Sequence, residues 1–181
     1  MTQPATMRAL VTRFEGYAAN PGPAIEALAD WCALAELPTP EPAEGQALVK
    51  VSLASVNPSD LHYVKGSYGQ PRIAGAPAGF EGTGVVVGGR GPAAEALQGR
   101  RVAFVAPLGG AWAEYVALDA ALLIPVRDDL REEDAAAQIV KPLTAMAMFE
   151  LVRAAGAESF LATAAASQLG KLLAGLARDA D

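Results

Sequence analysis

The sequence predicts a mainly β fold over residues 1–127, followed by an α/β part over residues 128–181. In the first part, short apolar runs recur between Gly- and Pro-rich turns, which is typical of a small β-barrel or sandwich. After residue 127 the pattern changes to alanine-rich segments with helix-capping and helix-ending residues. This change predicts two regions of different secondary structure.

Seven strands are predicted in the β part. The run at residues 47–55 alternates apolar and polar residues at a period of two, which is typical of a half-buried strand. A Gly- and Pro-rich loop is predicted at residues 16–23. The other six strands are short runs bounded by turn residues, at 7–14, 31–38, 84–88, 101–105, 112–118 and 122–126.

Two helices are predicted at the start of the α/β part. Asp128 or Asp129 can cap the first, over residues 130–140, whose first-turn acids favour the helix dipole. Pro142 suits the first turn of the second helix, and Gly156 is suited to follow its last residue.

The remaining residues predict a strand, a turn and a helix. The strand is expected to be buried at residues 159–164, the tight turn lies at 165–170 and the helix at 171–178. These elements form only the first half of a βαβ unit. A parallel strand needs a neighbour, and the sequence supplies none after the helix, so the chain is expected to be incomplete or a fragment.

Composition excludes several classes of function. The net charge is −6 and the sequence has no basic stripe that could neutralise phosphates, so no nucleic-acid partner is expected. No run of about 18 uncharged apolar residues occurs, so no membrane span is expected. The only cysteine, Cys32, cannot form an internal disulfide, and the first residues lack the basic and apolar regions of a signal peptide. A cytoplasmic location is expected.

The most informative segment is SVNPSDLHYVKGSYG, residues 55–69, which is followed by GFEG at residues 79–82. A strand running into an Asn-Pro turn predicts a helical turn capped by Ser59 or Asp60. Asn57 is either a turn-forming residue or a functional one, and the residues alone leave both interpretations open.

Four other side chains in this part of the chain are chemically notable. Tyr68 is either a half-buried loop tyrosine or a hydrogen-bond donor to a substrate oxygen. His62, the only histidine, is expected to face solvent or to pack, and Cys32 is expected to be a packed or surface thiol. Glu81 lies in the Gly-Phe-Glu-Gly turn.

The two segments resemble the substrate-domain signature of the zinc-free medium-chain dehydrogenase/reductases, in their quinone-oxidoreductase and enoyl-thioester-reductase branches. The resemblance implies a GroES-like β-barrel followed by the first βα unit of a Rossmann domain. In the zinc-dependent relatives, the positions of Asn57 and Phe80 carry cysteine and histidine ligands. An amide and a phenyl ring cannot replace those ligands, so no metal is expected. The same resemblance implies that Tyr68 and Asn57 are the catalytic residues and that Glu81 is a structural anchor rather than a base.

The resemblance also implies a cofactor site. Residues 164–170 are similar to the family's Ala-x-x-Gly-x-x-Gly turn, with Ser167 in place of the middle glycine. Such a turn presents a helix N-terminus to a pyrophosphate. The implied cofactor is NADPH, with NADH not excluded, and the turn residues implied to bind it are Ser167, Gln168, Leu169 and Gly170. Thr144 matches the threonine that contacts the nicotinamide end, whereas Lys141 replaces the usual asparagine.

The implied function is NADP(H)-dependent, zinc-independent reduction of a quinone or of the C=C bond of a conjugated carbonyl compound or enoyl thioester. A homo-oligomer, in particular a dimer, is the expected assembly. The alternative is a truncated, non-catalytic GroES-like module used for binding or assembly. The strand that reads the adenosine ribose is expected about 20 residues beyond the last glycine of the turn, and the sequence ends before that point. Weak NADPH binding and self-association are therefore expected of this chain.

Overall fold

The computed structural model describes residues 3–20 and 25–180. Part of the loop predicted at residues 16–23 therefore lies outside the described residues. The elements are β1 (Thr6–Thr12), a 3₁₀ turn (Leu28–Asp30), β2 (Cys32–Pro38), β3 (Gln46–Ala54), α1 (Pro58–Lys65), β4 (Glu81–Gly89), α2 (Pro92–Ala96), β5 (Arg101–Val105), β6 (Tyr115–Asp119), a second 3₁₀ turn (Ala120–Leu122), β7 (Ile124–Pro125), α3 (Glu132–Ala135), α4 (Val140–Ala154) and α5 (Gln168–Asp179).

The strands form two antiparallel sheets. Strands β1 and β2 pair along their full length, while the second sheet has the order β6-β3-β4-β5-β7. Each predicted strand is present to within a few residues at its ends, except that β6 begins at Tyr115 and β7 is only two residues long. The prediction of a mainly β first part is confirmed.

Residues before β6 connect the two sheets. The Leu10 N–H donates to the Trp112 carbonyl at 2.8 Å, and the Glu114 N–H donates to the Arg8 carbonyl at 3.0 Å. The predicted strand at 112–118 is therefore divided, because its first residues bond to β1 and its last ones to β3. These hydrogen bonds join the two sheets into one β domain.

The core of the β domain lies on one face of the larger sheet. Val49, Val86 and Phe104 are buried there on three adjacent strands, β3, β4 and β5. Loss of the Phe104 ring would cost about 3–5 kcal/mol of unfolding free energy, as is usual for a fully buried aromatic side chain. The core thus fixes β3 and β4, the strands between which α1 and the loop after it lie.

The chain divides into two compact units, Met1–Ala136 and Ala137–Asp181. In the first unit the predicted helix at 130–140 is largely wrong, since only Glu132–Ala135 is helical before α4 begins. Asp129 does not cap it, because its carboxylate accepts hydrogen bonds from the Arg127 guanidinium. The residue at the cap position is Arg131, with extended backbone angles.

The second unit consists of α4 and α5. Gly156 follows α4 in the left-handed conformation, with φ of 65°, as predicted. The predicted buried strand at 159–164 is wrong: this segment is irregular, and Leu161 is 94% exposed. The physical reason is that a parallel strand needs a partner strand to bond its backbone N–H and C=O groups, and the described residues of this unit provide none. Within the described residues, none of the helices is both long and apolar enough to cross a membrane.

Candidate functional site

The site predicted around Asn57 lies where β3 ends and α1 begins. Asn57 has extended backbone angles and occupies the N-cap position, with a proline as the first helical residue. The prediction that Ser59 or Asp60 caps the helix is therefore wrong by a few residues. Asp60 instead accepts a hydrogen bond from the Asn57 N–H at 2.6 Å, and so supports the cap from within the first turn.

The Asp60 carboxylate also joins α1 to the start of β4. Its second oxygen accepts a hydrogen bond from the Phe80 N–H at 2.9 Å. Asp60 is fully buried, and this burial raises the pKa of its carboxyl group, with a further contribution from the negative charge of Glu81. The two backbone hydrogen bonds act in the opposite direction, because they favour the ionised form.

The Asn57 side chain is part of a buried polar cluster. Its amide group donates to the Ser55 hydroxyl at 2.9 Å and to the Glu81 carboxylate at 3.1 Å. The Ser55 hydroxyl in turn donates to the same Glu81 oxygen at 3.1 Å. Glu81 is therefore an anchor for the residues at the end of β3, which agrees with its predicted structural role.

One atom of this cluster has no partner. The Asn57 carbonyl oxygen, Oδ1, is buried and has no hydrogen-bond partner among the described residues, in a residue that is only 3% exposed. Leaving a buried acceptor unsatisfied costs roughly 1–3 kcal/mol. Oδ1 is therefore the side-chain atom of Asn57 that has no partner among the described residues, and because it is buried a ligand could reach it only if neighbouring groups moved.

Tyr68 lies in the loop after α1 and packs against an aromatic pair. Its ring centroid is 5.3 Å from that of Phe80, which in turn is 5.1 Å from the ring of Tyr63. Tyr68 is 41% exposed, and its hydroxyl has no hydrogen-bond partner among the described residues. Phe80 thus links the two predicted catalytic residues. Its N–H donates to the same Asp60 carboxylate as the Asn57 N–H, and its ring packs against Tyr68.

The turn before Phe80 requires a glycine. Gly79 has φ of 82°, and a Cβ atom there would lie 2.3 Å from the Trp112 ring. The Trp112 indole N–H donates to the Ser55 carbonyl at 3.0 Å, so this ring covers the buried polar cluster. Sequence analysis did not single out Trp112. Asp60 was considered only as a cap, although its spacing of three from Asn57 is the spacing of a capping box.

The remaining reactive groups of the β domain behave as expected. His62 is exposed on α1, and its Nδ1 lies 3.0 Å from the Ser67 hydroxyl. Cys32 is buried, and desolvation raises the pKa of its thiol, which makes it a poor nucleophile. Among the described residues, no three His, Cys, Asp or Glu side chains come together in an arrangement that could hold a metal ion.

The predicted dinucleotide turn lies in the second unit, before α5. Ser167 is the N-cap residue, and its hydroxyl accepts a hydrogen bond from the Gly170 N–H at 3.1 Å. The amides of Gln168 and Leu169 have no acceptor among the described residues, as is usual for the first turn of a helix. These two N–H groups are therefore free to bind an anion.

The backbone of this turn is tightly folded. Ala164 has φ of 52° and is the only described residue other than glycine with a positive φ. A Cβ atom on Gly170 would lie 2.5 Å from the Ala165 carbonyl oxygen, so only glycine fits there without movement of the turn. Strain of this kind occurs often where a backbone closely approaches a ligand.

Thr144 lies in α4. Its side chain is exposed, while its hydroxyl donates to the Val140 carbonyl at 2.6 Å within the same helix. Together with Ser167, Gln168, Leu169 and Gly170 it belongs to the second unit, whereas Asn57 and Tyr68 belong to the first. The structure links Asn57 to Phe80 through the Asp60 carboxylate, packs Tyr68 against the Phe80 ring and places the four turn residues at the start of α5.

The comparisons with known proteins agree with this architecture. Residues 43–128 match the alcohol dehydrogenase GroES-like domain. The chain is 34% identical over 146 residues to prostaglandin reductase-3 of Bos taurus, an alignment that covers 80% of this chain and 38% of that protein.

Two solved structures resemble the whole chain. The first is a Mesorhizobium loti protein assigned by name as an NADPH:quinone reductase, with 49% identity, a TM-score of 0.92, and coverage of 99% of this chain and 54% of that one. The second is the quinone oxidoreductase of Thermus thermophilus, whose structure is also known in complex with NADPH. It shows 31% identity, a TM-score of 0.68, and coverage of 95% of this chain and 50% of that one. The chain thus spans about half the length of these two proteins.

The fold and the motifs define a GroES-like β domain followed by a helical unit. The chain belongs to the medium-chain dehydrogenase/reductase superfamily.

Proposed function

We propose that this chain forms part of an NADPH-dependent, zinc-independent oxidoreductase that reduces quinones or conjugated carbonyl compounds. The single observation that carries the proposal is the buried cluster at Asn57. An asparagine and a phenylalanine occupy the two positions where zinc-dependent relatives carry ligands, and both are fixed by hydrogen bonds to Asp60. The names of the relatives, as prostaglandin and quinone reductases, support the substrate class.

NADPH, when bound, supplies the hydride that adds to the electron-poor carbon of the substrate. The residues of the chain orient the substrate and stabilise the charge that develops on its oxygen. Tyr68 suits this role, because its hydroxyl is exposed and has no partner among the described residues. A phenol, with a pKa of about 10, can donate a hydrogen bond to a carbonyl or enolate oxygen or a proton to the adjacent carbon.

Asn57 suits a different part of the same reaction. Its amide nitrogen already donates within the buried cluster, to Ser55 and to Glu81, and this bonding favours a structural use of the amide N–H groups. Its Oδ1 atom can accept a hydrogen bond from a bound ligand, which would relieve the cost of a buried, unsatisfied acceptor. We therefore assign hydrogen-bond donation to Tyr68 and a hydrogen-bond-accepting role to Asn57.

The turn before α5 fits the phosphates of the cofactor. The free amides of Gln168 and Leu169 and the positive end of the helix dipole favour a pyrophosphate at this place. The absence of a side chain at Gly170 keeps the turn compact, and Ser167 holds the first helical turn in position. Thr144 is proposed to contact the nicotinamide end, by the family resemblance alone.

The test is NADPH-dependent reduction of a benzoquinone and of an enone, measured on the 181-residue chain and on any longer natural protein that contains it. Tyr68→Phe is expected to lower turnover by roughly ten- to a thousandfold, about 1.4–4 kcal/mol of transition-state stabilisation, with little change in NADPH affinity. Tyr115→Phe is the matched control, since it removes the same hydroxyl from β6 and is expected to leave turnover unchanged.

Two results would contradict the proposal. Equal turnover in Tyr68→Phe and Tyr115→Phe would remove Tyr68 from the reaction. Failure of every form of the protein to oxidise NADPH with either substrate would favour the alternative, a GroES-like module used for binding or assembly.

A further inference from the structure

We propose that Arg72 is a positioning residue that fixes the loop of residues 66–71 and thereby holds Tyr68 where its hydroxyl can meet the substrate. The inference rests on the role proposed above for Tyr68. Sequence analysis did not identify Arg72, which follows Tyr68 by four positions and belongs to none of the motifs.

Arg72 is buried, and its guanidinium group binds backbone rather than carboxylates. It is 6% exposed, and its nitrogens donate to the carbonyls of Gly16 at 2.9 Å, Val64 at 3.3 Å and Glu15 at 3.4 Å. A buried cation is costly unless such acceptors surround it. Val64 is in the last turn of α1, where the negative end of the helix dipole also favours a positive charge.

The guanidinium group closes the loop at its two ends. Gly66 ends α1 in the left-handed conformation, with φ of 75°, and a Cβ atom there would lie 2.6 Å from the Arg72 Cζ atom. The first residue of the loop and the side chain that follows the loop are thus in direct contact. Arg72 also exchanges two backbone hydrogen bonds with Gly16, at 3.0 and 3.3 Å, so its own position is fixed.

Two other hydrogen bonds hold the middle of the loop. The Tyr17 hydroxyl donates to the Gly69 carbonyl at 3.3 Å, and the Gln70 side chain donates to the Pro107 carbonyl at 2.8 Å. Tyr68 itself makes no hydrogen bond through its side chain to the described residues, and its ring packs against the Phe80 ring. Its position therefore depends on the backbone that Arg72 fixes.

The test follows the loop directly in the 181-residue chain. Hydrogen exchange is measured for the amides of residues 67–70, together with the nuclear Overhauser effect between the rings of Tyr68 and Phe80. In Arg72→Met, which keeps most of the aliphatic stem, exchange is expected to rise about tenfold or more, as the loss of one to three hydrogen bonds predicts, and the ring contact should weaken. Arg72→Lys should restore part of both signals. Arg8→Met, which removes an exposed, ion-paired guanidinium from the same domain, should change neither.

Several outcomes would overturn the inference. Wild-type exchange and an intact ring contact in Arg72→Met would do so. An equal rise in exchange throughout the β domain would also do so, because Arg72 would then stabilise the whole domain. Should Arg72→Met fail to fold, Arg72→Lys provides the second variant, because an ammonium group keeps the charge but cannot donate to all three carbonyls at once. It should raise exchange at residues 67–70 by roughly threefold and leave the β strands unchanged, and no rise would overturn the inference.

Kinetics separate this inference from the proposed function. If Arg72 acts through Tyr68, Arg72→Met lowers kcat with little change in KM and has no additional effect when Tyr68 is already phenylalanine. Independent, multiplying effects would contradict it. If Tyr68→Phe alone leaves turnover unchanged, the role proposed for Tyr68 fails, whereas the exchange measurement still reports whether Arg72 fixes the loop.

Discussion

Replacement of Asp60 should weaken the β domain more than replacement of any exposed acid. The carboxylate is fully buried and accepts two backbone hydrogen bonds, from Asn57 at 2.6 Å and from Phe80 at 2.9 Å. Asp60→Ala leaves both N–H groups buried without acceptors. At roughly 1.5–3 kcal/mol for each bond to a charged group, the unfolding free energy should fall by about 3–6 kcal/mol. Asp60→Asn keeps one acceptor oxygen and should cost about half as much.

The same carboxylate should make stability depend on pH in a defined direction. Burial, with the nearby charge of Glu81, raises the pKa of Asp60 in the folded protein above the unfolded value of about 3.9. The folded state therefore binds more protons than the unfolded state between the two pKa values, so the contribution of Asp60 to stability falls as pH rises through that interval. Asp60→Asn should abolish this part of the pH dependence.

Urea unfolding at a series of pH values from about 4 to 8 measures both effects. The reasoning would be refuted if Asp60→Ala lost less than about 1 kcal/mol, or if Asp60→Asn kept the full pH dependence of the wild type. Glu81→Gln, made in parallel, separates the contribution of the second buried carboxylate from that of Asp60.

Three further predictions concern backbone fit and association. Gly79→Ala should lower the melting temperature, because its Cβ would lie 2.3 Å from the Trp112 ring at a φ of 82°; an unchanged melting temperature would contradict this. Gly170→Ala should weaken NADPH binding at least tenfold in calorimetry, whereas Gly175→Ala, whose Cβ meets nothing within 4 Å, should not; equal affinities would contradict the assigned turn. The 181-residue chain should self-associate in sedimentation, and Leu161→Lys, at a side chain 94% exposed, should reduce this; a monodisperse wild-type monomer would refute it.

The β domain was predictable from sequence because its signals are local. Alternation at residues 47–55 and short apolar runs between turns placed the strands to within a few residues. The division at 112–118 was not predictable, since the bond from Leu10 to Trp112 joins residues far apart in the chain and leaves no periodic trace. The predicted helix cap at Asp129 was wrong because its carboxylate pairs with the Arg127 guanidinium instead.

The residues of the candidate site can be proposed from the sequence, but their hydrogen bonds cannot. The Asn-Pro turn and the tyrosine after it were recognisable by resemblance, as was the turn that contains Gly170. That the Asn57 amide is held by Ser55 and Glu81, and that Arg72 closes the loop, depends on contacts across the fold. The strand expected at 159–164 failed for the complementary reason, because its sequence suits a strand but the pairing partner is not among the described residues.

Metal removal tests the central claim most directly. The protein is dialysed against a strong chelator, its zinc content is measured, and NADPH-dependent quinone reduction is compared before and after, and again after zinc is added back. The account predicts well below one zinc per chain and a rate that is unchanged by either treatment, because Asn57 and Phe80 offer no ligands at the positions that matter. A stoichiometric zinc that survives dialysis, or a rate that is lost with the metal and returns with it, would contradict the account.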